Sequence, residues 1–200
     1  MDSALQRRLI EAVANSVIRH ADELTTLDQA IGDGDHGLNM KRGAMAILEQ
    51  LDALAAKPLP EALKASGQTI VMKVGGASGP LYGTLLMALG KDLPTAPNRG
   101  DLVRAVGTAI DAVKKIGRSD VGQKTLLDVL GPMHEELASG GPGLPDRIRQ
   151  RSAAAAEATV PMKAIKGRAS FLGERSIGHM DPGARSSSLM IAAVCGVIEE

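Results

Sequence analysis

Three aspartates interleaved with glycines constrain this chain more than any other feature of its sequence. They lie in residues 28–37, which read D-Q-A-I-G-D-G-D-H-G. Asp28, Asp33 and Asp35 are spaced by five and then two positions, which fits neither a helical nor a strand repeat. Glycine permits positive φ and tight reversals, so the stretch can bend until its carboxylates point at one place. Clustered carboxylates repel one another, and the stretch therefore predicts a loop able to hold a cation.

Two interpretations of the acidic stretch are open on its residues alone. Candidate ligands that are all oxygen favour a hard dication, with magnesium as the first choice. A solvated acidic turn, in which the aspartates bond their own backbone, accounts for the same residues. A calcium-binding EF-hand is excluded, because counting Asp33 as position one places Ala44 at position twelve, where a glutamate is needed.

The composition fits a single globular domain over residues 1–200, because 44% apolar residues can form a sizeable core. Lys plus Arg number 23 and Asp plus Glu also number 23, so no overall field attracts nucleic acid or an anionic membrane. No segment approaches the ~18 consecutive apolar residues of a membrane span, and the N-terminus lacks the pattern of a secretory signal. The sequence thus predicts a cytoplasmic protein with no nucleic-acid or membrane partner.

Apolar residues recur at helical spacing in eight stretches, and no stretch alternates convincingly as a strand does. The predicted helices cover about residues 3–25, 40–54, 60–74, 78–89, 101–116, 125–137, 146–164 and 186–198. Pro132 and Pro161 fall inside two of them and are expected to kink or interrupt them. Eight helices without strands predict an all-α fold, an antiparallel bundle or barrel.

Four glycine-rich loops follow alternate helices of this pattern, at residues 28–37, 75–80, 117–125 and 167–183. In an up-and-down array of helices, such loops share one end. That end would collect the aspartates together with four basic residues, Lys124, Arg168, Arg175 and Arg185. A magnesium nucleotide requires acids for the metal, and backbone amides and bases for the phosphates. The loops therefore predict a nucleotide site at one end of the helical array.

Four motifs in these loops carry a resemblance to a known family. They read D-x4-D-G-D-H-G-x-N-M, G-G-A-S-G-P-L-Y-G-T, G-Q-K-T-x2-D-V and K-G-R-A-S-x-L-G-E-R-S-I-G-H-x-D-P-G-A. Their order and nearly the whole chain resemble the nucleotide-binding subunit of dihydroxyacetone kinase. That resemblance implies an antiparallel eight-helix barrel whose nucleotide lies in the loops at one end.

The resemblance also implies which residues form the site. Asp28, Asp33 and Asp35 match magnesium ligands that hold two ions on the phosphates of ADP or ATP, and with Arg168 they are the implied catalytic residues. The implied nucleotide contacts are His36, Gly37, Leu38, Asn39, Ala77, Ser78, Gly117, Leu126, Arg168, Asp181, Pro182 and Gly183. One position departs from the family pattern, because Gln123 stands where an aspartate usually precedes Lys-Thr. Loop 117–125 is therefore expected to be held differently.

The activity implied is phosphoryl transfer to dihydroxyacetone bound on a separate subunit, with this chain as the phosphoryl-donating half. In one branch of the family ADP is a bound coenzyme, recharged from phosphoenolpyruvate through phosphotransferase-system proteins; in the other ATP exchanges. A separate subunit favours the first branch. The partners implied are the dihydroxyacetone-binding subunit, a phosphotransferase-system donor and a second copy in a homodimer. Alternatives are an ATP-dependent kinase subunit for a tetrose or other short ketose, and a nucleotide-dependent protein-binding co-regulator.

Overall fold

Ten α-helices and one 3-10 segment make up the regular structure of residues 2–199, the range that the computed structural model describes. No strand occurs in that range, which confirms the predicted all-α class. The elements are α1 (Ser3–Arg19), α2 (Ala21–Ile31), α3 (His36–Leu48), α4 (Leu51–Ala55), α5 (Leu59–Lys73), α6 (Ser78–Asp92), α7 (Arg99–Gly117), α8 (Leu127–Ser139), α9 (Leu144–Glu157), the 3-10 segment (Arg168–Ser176) and α10 (Pro182–Glu199).

Eight helices close into a ring in which each packs against the next. The order around the ring is α1, α3, α5, α6, α7, α8, α9, α10 and back to α1. Apolar side chains from these helices form one core inside the ring, including Val17, Met40, Val113 and Leu127. The connections before α3, α6, α8 and α10 meet at one end, so neighbouring helices run in alternating directions there. The predicted antiparallel eight-helix barrel is thus confirmed, with α2 and α4 as additional helices.

The extent of the acidic loop was predicted wrongly. Residues 28–31 belong to the last turn of α2, and α3 already begins at His36, so only residues 32–35 are non-helical. The first predicted helix is broken at His20 and then continues as α2 to Ile31. Leu24, Asp28 and Ile31 are buried at helical spacing along one face, and burial of that face extends the helix up to Gly32, its C-cap.

Proline positions account for the other differences in helix bounds. Helix α8 continues through Pro132, so of the two predicted effects, a kink or an interruption, the interruption does not occur. Helix α9 ends at Glu157 rather than near residue 164, because Pro161 has no N–H to bond the Glu157 carbonyl four positions earlier. Pro182 instead starts α10, four residues earlier than predicted, where its fixed φ suits the first helical position.

Within residues 2–199, no helix combines the length and the apolar character that crossing a bilayer requires.

Candidate nucleotide and metal site

An open cleft lies at the end of the ring where the four connections meet. Five short stretches of chain line it, all predicted from the loop motifs or adjacent to them. The lining residues are Asp28, Ile31, Asp33, Asp35, His36, Gly75, Gly76, Ala77, Ser78, Leu81, Tyr82, Lys124, Thr125, Leu126, Lys166, Gly167, Arg168, Ala169, Asp181, Pro182 and Gly183. The fold therefore brings loops more than 150 residues apart in sequence to one place.

Most of the residues predicted for the site lie in this cleft. They are Asp28, Asp33, Asp35, His36, Ala77, Ser78, Leu126, Arg168, Asp181, Pro182 and Gly183. Four others, Gly37, Leu38, Asn39 and Gly117, do not line it. The structure thus gathers the acids, the small-residue turn before α6 and the start of α10 around one space.

Packing explains where the four remaining residues lie. A Cβ on Gly37 would come within 1.9 Å of the Ala21 carbonyl oxygen, so glycine there permits the close approach of α3 to α2. Asn39 is buried beside Gly75, and Gly117 lies against the Leu81 side chain that faces the cleft. Their roles as nucleotide contacts, like that of the exposed Leu38, stay predictions.

The three aspartates converge as their spacing predicts. One carboxylate oxygen from each lies within 4.8 Å of the others. Asp28 is buried at the end of α2, and its Oδ2 accepts hydrogen bonds from the amides of Asp35 (2.9 Å) and His36 (3.0 Å). Gly34, at φ +75°, provides the reversal that brings Asp33 and Asp35 beside it. Three converging carboxylates suit a hard dication such as magnesium.

Arg168 reaches across the cleft to the acidic cluster. Its Nη1 lies 3.0 Å from Asp33 Oδ2, with the arginine side chain 64% exposed. An exposed ion pair of this kind contributes about 0–1 kcal/mol, so exchanging it for a phosphate contact costs little. Arg168 therefore offsets part of the negative charge of the cluster through a contact that is easily exchanged.

A buried hydroxyl network lies behind the cleft. His36 contacts Ser78 Oγ through Nδ1 (2.9 Å) and Ser186 Oγ through Nε2 (3.0 Å), joining the turn before α6 to α10. Tyr82 OH lies 2.7 Å from Ser186 Oγ and donates to the Gly183 carbonyl oxygen at 3.0 Å. Burial lowers the pKa of His36 and raises that of Tyr82 to about 12. Both rings are therefore neutral near pH 7 and act as hydrogen-bonding groups.

Tyr82→Phe should weaken nucleotide binding through this network. Without the phenol, the Gly183 carbonyl and the neighbouring serine hydroxyls lose a buried partner, at a cost of about 1–3 kcal/mol. Because Gly183 lines the cleft, we expect affinity for Mg-ADP to fall roughly 3- to 10-fold, as measured by titration calorimetry. Ser188→Ala, which removes a buried hydroxyl outside the network, should leave affinity unchanged. Equal affinities for Tyr82→Phe and the parent would contradict the positioning role.

Lys124 has a different role from the one predicted. Its side chain is buried, and Nζ donates to the carbonyl oxygens of Met162 (2.9 Å) and Ser176 (2.7 Å), with Val160 at 3.5 Å. Burial lowers the pKa of Lys124, and the Asp181 carboxylate opposes that shift. The ammonium group therefore ties down residues 158–181, here called the wall segment, instead of neutralising a phosphate.

Two of the other predicted bases also point elsewhere. Arg185 pairs with Glu23 at 2.6 Å, which fixes the first turn of α10 to α2. Arg175 is exposed on the wall segment and does not line the cleft. Lys166, which sequence reasoning missed, does line it, two residues before Arg168. Besides the buried Lys124, the cations among the lining residues are thus Arg168 and Lys166.

The loop before α8 is held by one of its own side chains, by the first turn of α8 and by the wall segment. Asp128, buried in the first turn of α8, accepts hydrogen bonds from the amides of Gly122 and Thr125. Gln123 Oε1 accepts one from the Asp120 amide at 3.0 Å, and the Gln123 carbonyl accepts another from Ile165 in the wall segment at 3.3 Å. Gln123, the position that departs from the family pattern, therefore braces its loop from within.

Asp181 is an acid whose charge is disfavoured. Its Oδ2 accepts a hydrogen bond from the Ala184 amide at 2.7 Å, near the start of α10. Burial, together with the charge of Asp128, raises the pKa of Asp181 from 3.8 to about 7. Between about pH 4 and pH 7, Asp181 therefore stays protonated in the folded chain but is ionised in the unfolded chain. The stability that this group confers falls as pH rises through that range.

Asp181→Asn should stabilise the nucleotide-free protein at alkaline pH. Asparagine keeps an oxygen for the Ala184 amide but carries no charge, so we expect a gain of about 1–4 kcal/mol at pH 8 and little difference at pH 4. Thermal melts across this pH range provide the measurement. Asp111→Asn, on the exposed face of α7, serves as the control and should not change the pH dependence. A gain that is the same at both pH values would contradict the assignment.

Tyr82 is another cleft residue that the sequence reasoning missed, although a signal was available. It follows Ser78 by four positions, which places both on the same face of α6. Since the glycine-rich turn ending at Ser78 was already assigned to the phosphates, that face was predictable. No comparable signal marks Thr125, which lies beside the strained Lys124 at φ +62°.

Comparison with known proteins places these features in one family. Residues 30–196 match the model of the DAK2 domain. The chain is 44% identical over 173 residues to the ADP-binding subunit DhaL of PEP-dependent dihydroxyacetone kinase 1 from Listeria innocua, covering 86% of this chain and 84% of that one. It is 41% identical over 179 residues to the corresponding ADP-binding subunit from Escherichia coli, covering 86% and 85%.

A solved structure shows the same fold with a nucleotide and metal bound. The dihydroxyacetone kinase of C. freundii in complex with AMP-PNP and Mg2+ matches with a TM-score of 0.79 and 26% identity, over 96% of this chain. The match covers 34% of that protein, so this chain spans about a third of its length.

Proposed function

Because the chain belongs to the DAK2 domain family, we propose that it is the nucleotide-binding, phosphoryl-donating subunit of a dihydroxyacetone kinase. The observation that carries the proposal is the meeting of three carboxylates, Arg168 and the turn at Ser78 in one cleft. The acceptor ketose would bind on a separate subunit, since the ADP-binding relatives have about the length of this chain. Residues 1–200 would act as one nucleotide-binding domain.

Asp28, Asp33 and Asp35 would hold magnesium, and the cleft would hold ADP or ATP. The structure of the C. freundii enzyme with AMP-PNP and Mg2+ supports this choice of ligand class. We propose two ions, because magnesium is usually bound by one or two carboxylates together with phosphate oxygens, and three carboxylates can therefore serve two ions. When bound, magnesium would neutralise negative charge on the phosphate oxygens.

The chain's own contribution would be to position the donor and to stabilise charge. Ala77 and Ser78 lie at the start of α6, where the amides of the first turn and the helix dipole favour phosphate. Pro182 and Gly183 lie at the start of α10, where Asp181 accepts the Ala184 amide and the helix dipole is what favours phosphate. Arg168, released from Asp33, would neutralise charge on the transferred group. The bond from the terminal phosphorus to its bridging oxygen would break as one to the ketose hydroxyl oxygen forms, with the hydroxyl proton leaving on the partner's side.

We further propose that ADP stays bound as a coenzyme. The relatives from Listeria innocua and Escherichia coli are named as ADP-binding subunits of PEP-dependent kinases. A phosphotransferase-system protein would then recharge ADP within the cleft, using phosphoenolpyruvate as the ultimate donor.

Reconstitution with purified components tests this function. The chain, loaded with Mg-ADP, is mixed with a purified dihydroxyacetone-binding subunit, dihydroxyacetone and either the phosphoenolpyruvate system or ATP. We expect dihydroxyacetone phosphate only when the chain, partner and phosphoenolpyruvate system are all present. Turnover with ATP alone would contradict the coenzyme assignment, and greater activity on D-erythrulose would contradict the choice of ketose. Product formation that does not require the chain would reject the proposal.

A further inference from the structure

The wall segment exposes apolar side chains beside the cleft. Phe171, the only phenylalanine in the chain, is 90% exposed, and Ile165 and Ile177 are 57% and 41% exposed. Phe171 lies three positions from Arg168 and two from Ala169, which both line the cleft. Scattered apolar side chains are ordinary on a protein surface, whereas several on one short segment mark a contact surface.

This exposure does not come from a loosely held loop. Ala164, Ala169 and Leu172 pack against Ile31 at the end of α2. Ser176 Oγ accepts a hydrogen bond from the Ala164 amide at 2.9 Å and donates one to the Gly173 carbonyl at 2.6 Å. With Lys124 bonded to backbone carbonyls of the same segment, the inner side is firmly fixed. The outer side therefore presents Phe171 from a rigid support, which lowers the entropy lost on binding.

The segment also carries an excess of positive charge. Between residues 163 and 178 there are four basic residues, Lys163, Lys166, Arg168 and Arg175, and one acid, Glu174. Lys163 pairs with Glu174 and Arg168 with Asp33, each at 3.0 Å, so the excess of positive charge comes from Lys166 and Arg175. Exposed apolar side chains interspersed with basic ones complement a partner surface with an apolar pocket flanked by carboxylates.

Direct phosphoryl transfer requires that the ketose-binding subunit cover the wall segment beside the cleft. The terminal phosphoryl group must meet a hydroxyl held by another subunit, with water kept out, so that subunit must cover the cleft mouth. We propose that Phe171 is the anchor by which the wall segment docks onto the ketose-binding partner subunit, inserting into an apolar pocket rimmed by carboxylates. Ile165 and Ile177 would border the anchor. This inference rests on the proposed function and adds the docking element to it.

Binding of the purified dihydroxyacetone-binding subunit, measured by interferometry in the presence of Mg-ADP, tests the anchor directly. Phe171→Ser is expected to weaken partner binding roughly 30-fold or more, as loss of a central aromatic anchor does. Because Phe171 does not line the cleft, Mg-ADP affinity by calorimetry should stay unchanged. Ile198→Ser removes a 57% exposed apolar side chain near the far end of α10 and should not change partner binding.

The possible outcomes separate this inference from the proposed function. Partner binding that is unchanged in Phe171→Ser, while the parent protein transfers phosphoryl groups, overturns the anchor and leaves the function standing. A parent protein that neither binds the partner nor transfers overturns both. Sedimentation velocity identifies a different occupant: if the parent forms a dimer that Phe171→Ser abolishes, the surface belongs to a second copy and the anchor assignment is wrong. Photocrosslinking from position 171 to the purified partner, and not to a second copy, would support it.

Discussion

Asp33→Asn is expected to abolish tight binding of Mg-ADP, with a loss of affinity of at least about 100-fold. Loss of a residue that only supports a metal ligand already lowers metal affinity about 10- to 100-fold, and Asp33 is proposed as a ligand itself. The carboxylate of Asp33 lies within 4.8 Å of those of Asp28 and Asp35, so an amide there removes one charge from the cluster. It also removes the partner of Arg168, 3.0 Å away. Titration calorimetry with Mg-ADP measures the effect.

Two comparisons make this prediction specific to the site. The melting temperature of the nucleotide-free variant should not fall, because removing one of three clustered acids relieves repulsion. Asp22→Asn, at an exposed position in the first turn of α2, should bind Mg-ADP as the parent does. Undiminished Mg-ADP affinity in Asp33→Asn would reject the metal assignment.

Lys124→Met should have the largest effect on stability. Methionine fills most of the volume of the lysine stem but cannot bond the carbonyls of Met162 and Ser176, and these would be left buried without a partner. We expect a loss of about 3 kcal/mol, which lowers the melting temperature of a chain of this size by roughly 6–12 °C. Since the wall segment carries Arg168 and Asp181, Mg-ADP affinity should also fall.

Lys163→Met provides the matched control for this substitution. Lys163 lies on the same wall segment but is exposed and pairs only with Glu174, so its loss should cost less than about 1 kcal/mol. Differential scanning calorimetry compares the two variants without nucleotide. If Lys124→Met melts as the parent does, the internal lysine does not hold the wall segment.

The sequence was most informative where local pattern and fold agree. Helical periodicity and the placement of glycine-rich loops after alternate helices predicted the ring and its loop-bearing end, because short connections in such an array fix the direction of each helix. Aspartate spacing predicted the carboxylate cluster. The bounds of its loop were wrong because burial of Leu24, Asp28 and Ile31 on one face extends α2.

Burial of a side chain by residues distant in the sequence could not be predicted from the sequence. Lysine is almost never fully buried, and the carbonyls that receive Lys124 are 36 to 52 positions away, so no local pattern marks it as a clamp. A motif glycine such as Gly37 has the same local signature whether it faces a phosphate or another helix. The close approach of Gly37 to α2 is visible only in the packed structure.

Native mass spectrometry of the purified chain, titrated with magnesium and ADP, shows directly whether the chain binds a metal nucleotide. We expect a complex whose added mass equals one ADP with two magnesium ions, formed by the parent protein and absent from Asp33→Asn. A parent protein that stays at its own mass under saturating magnesium and ADP would contradict it.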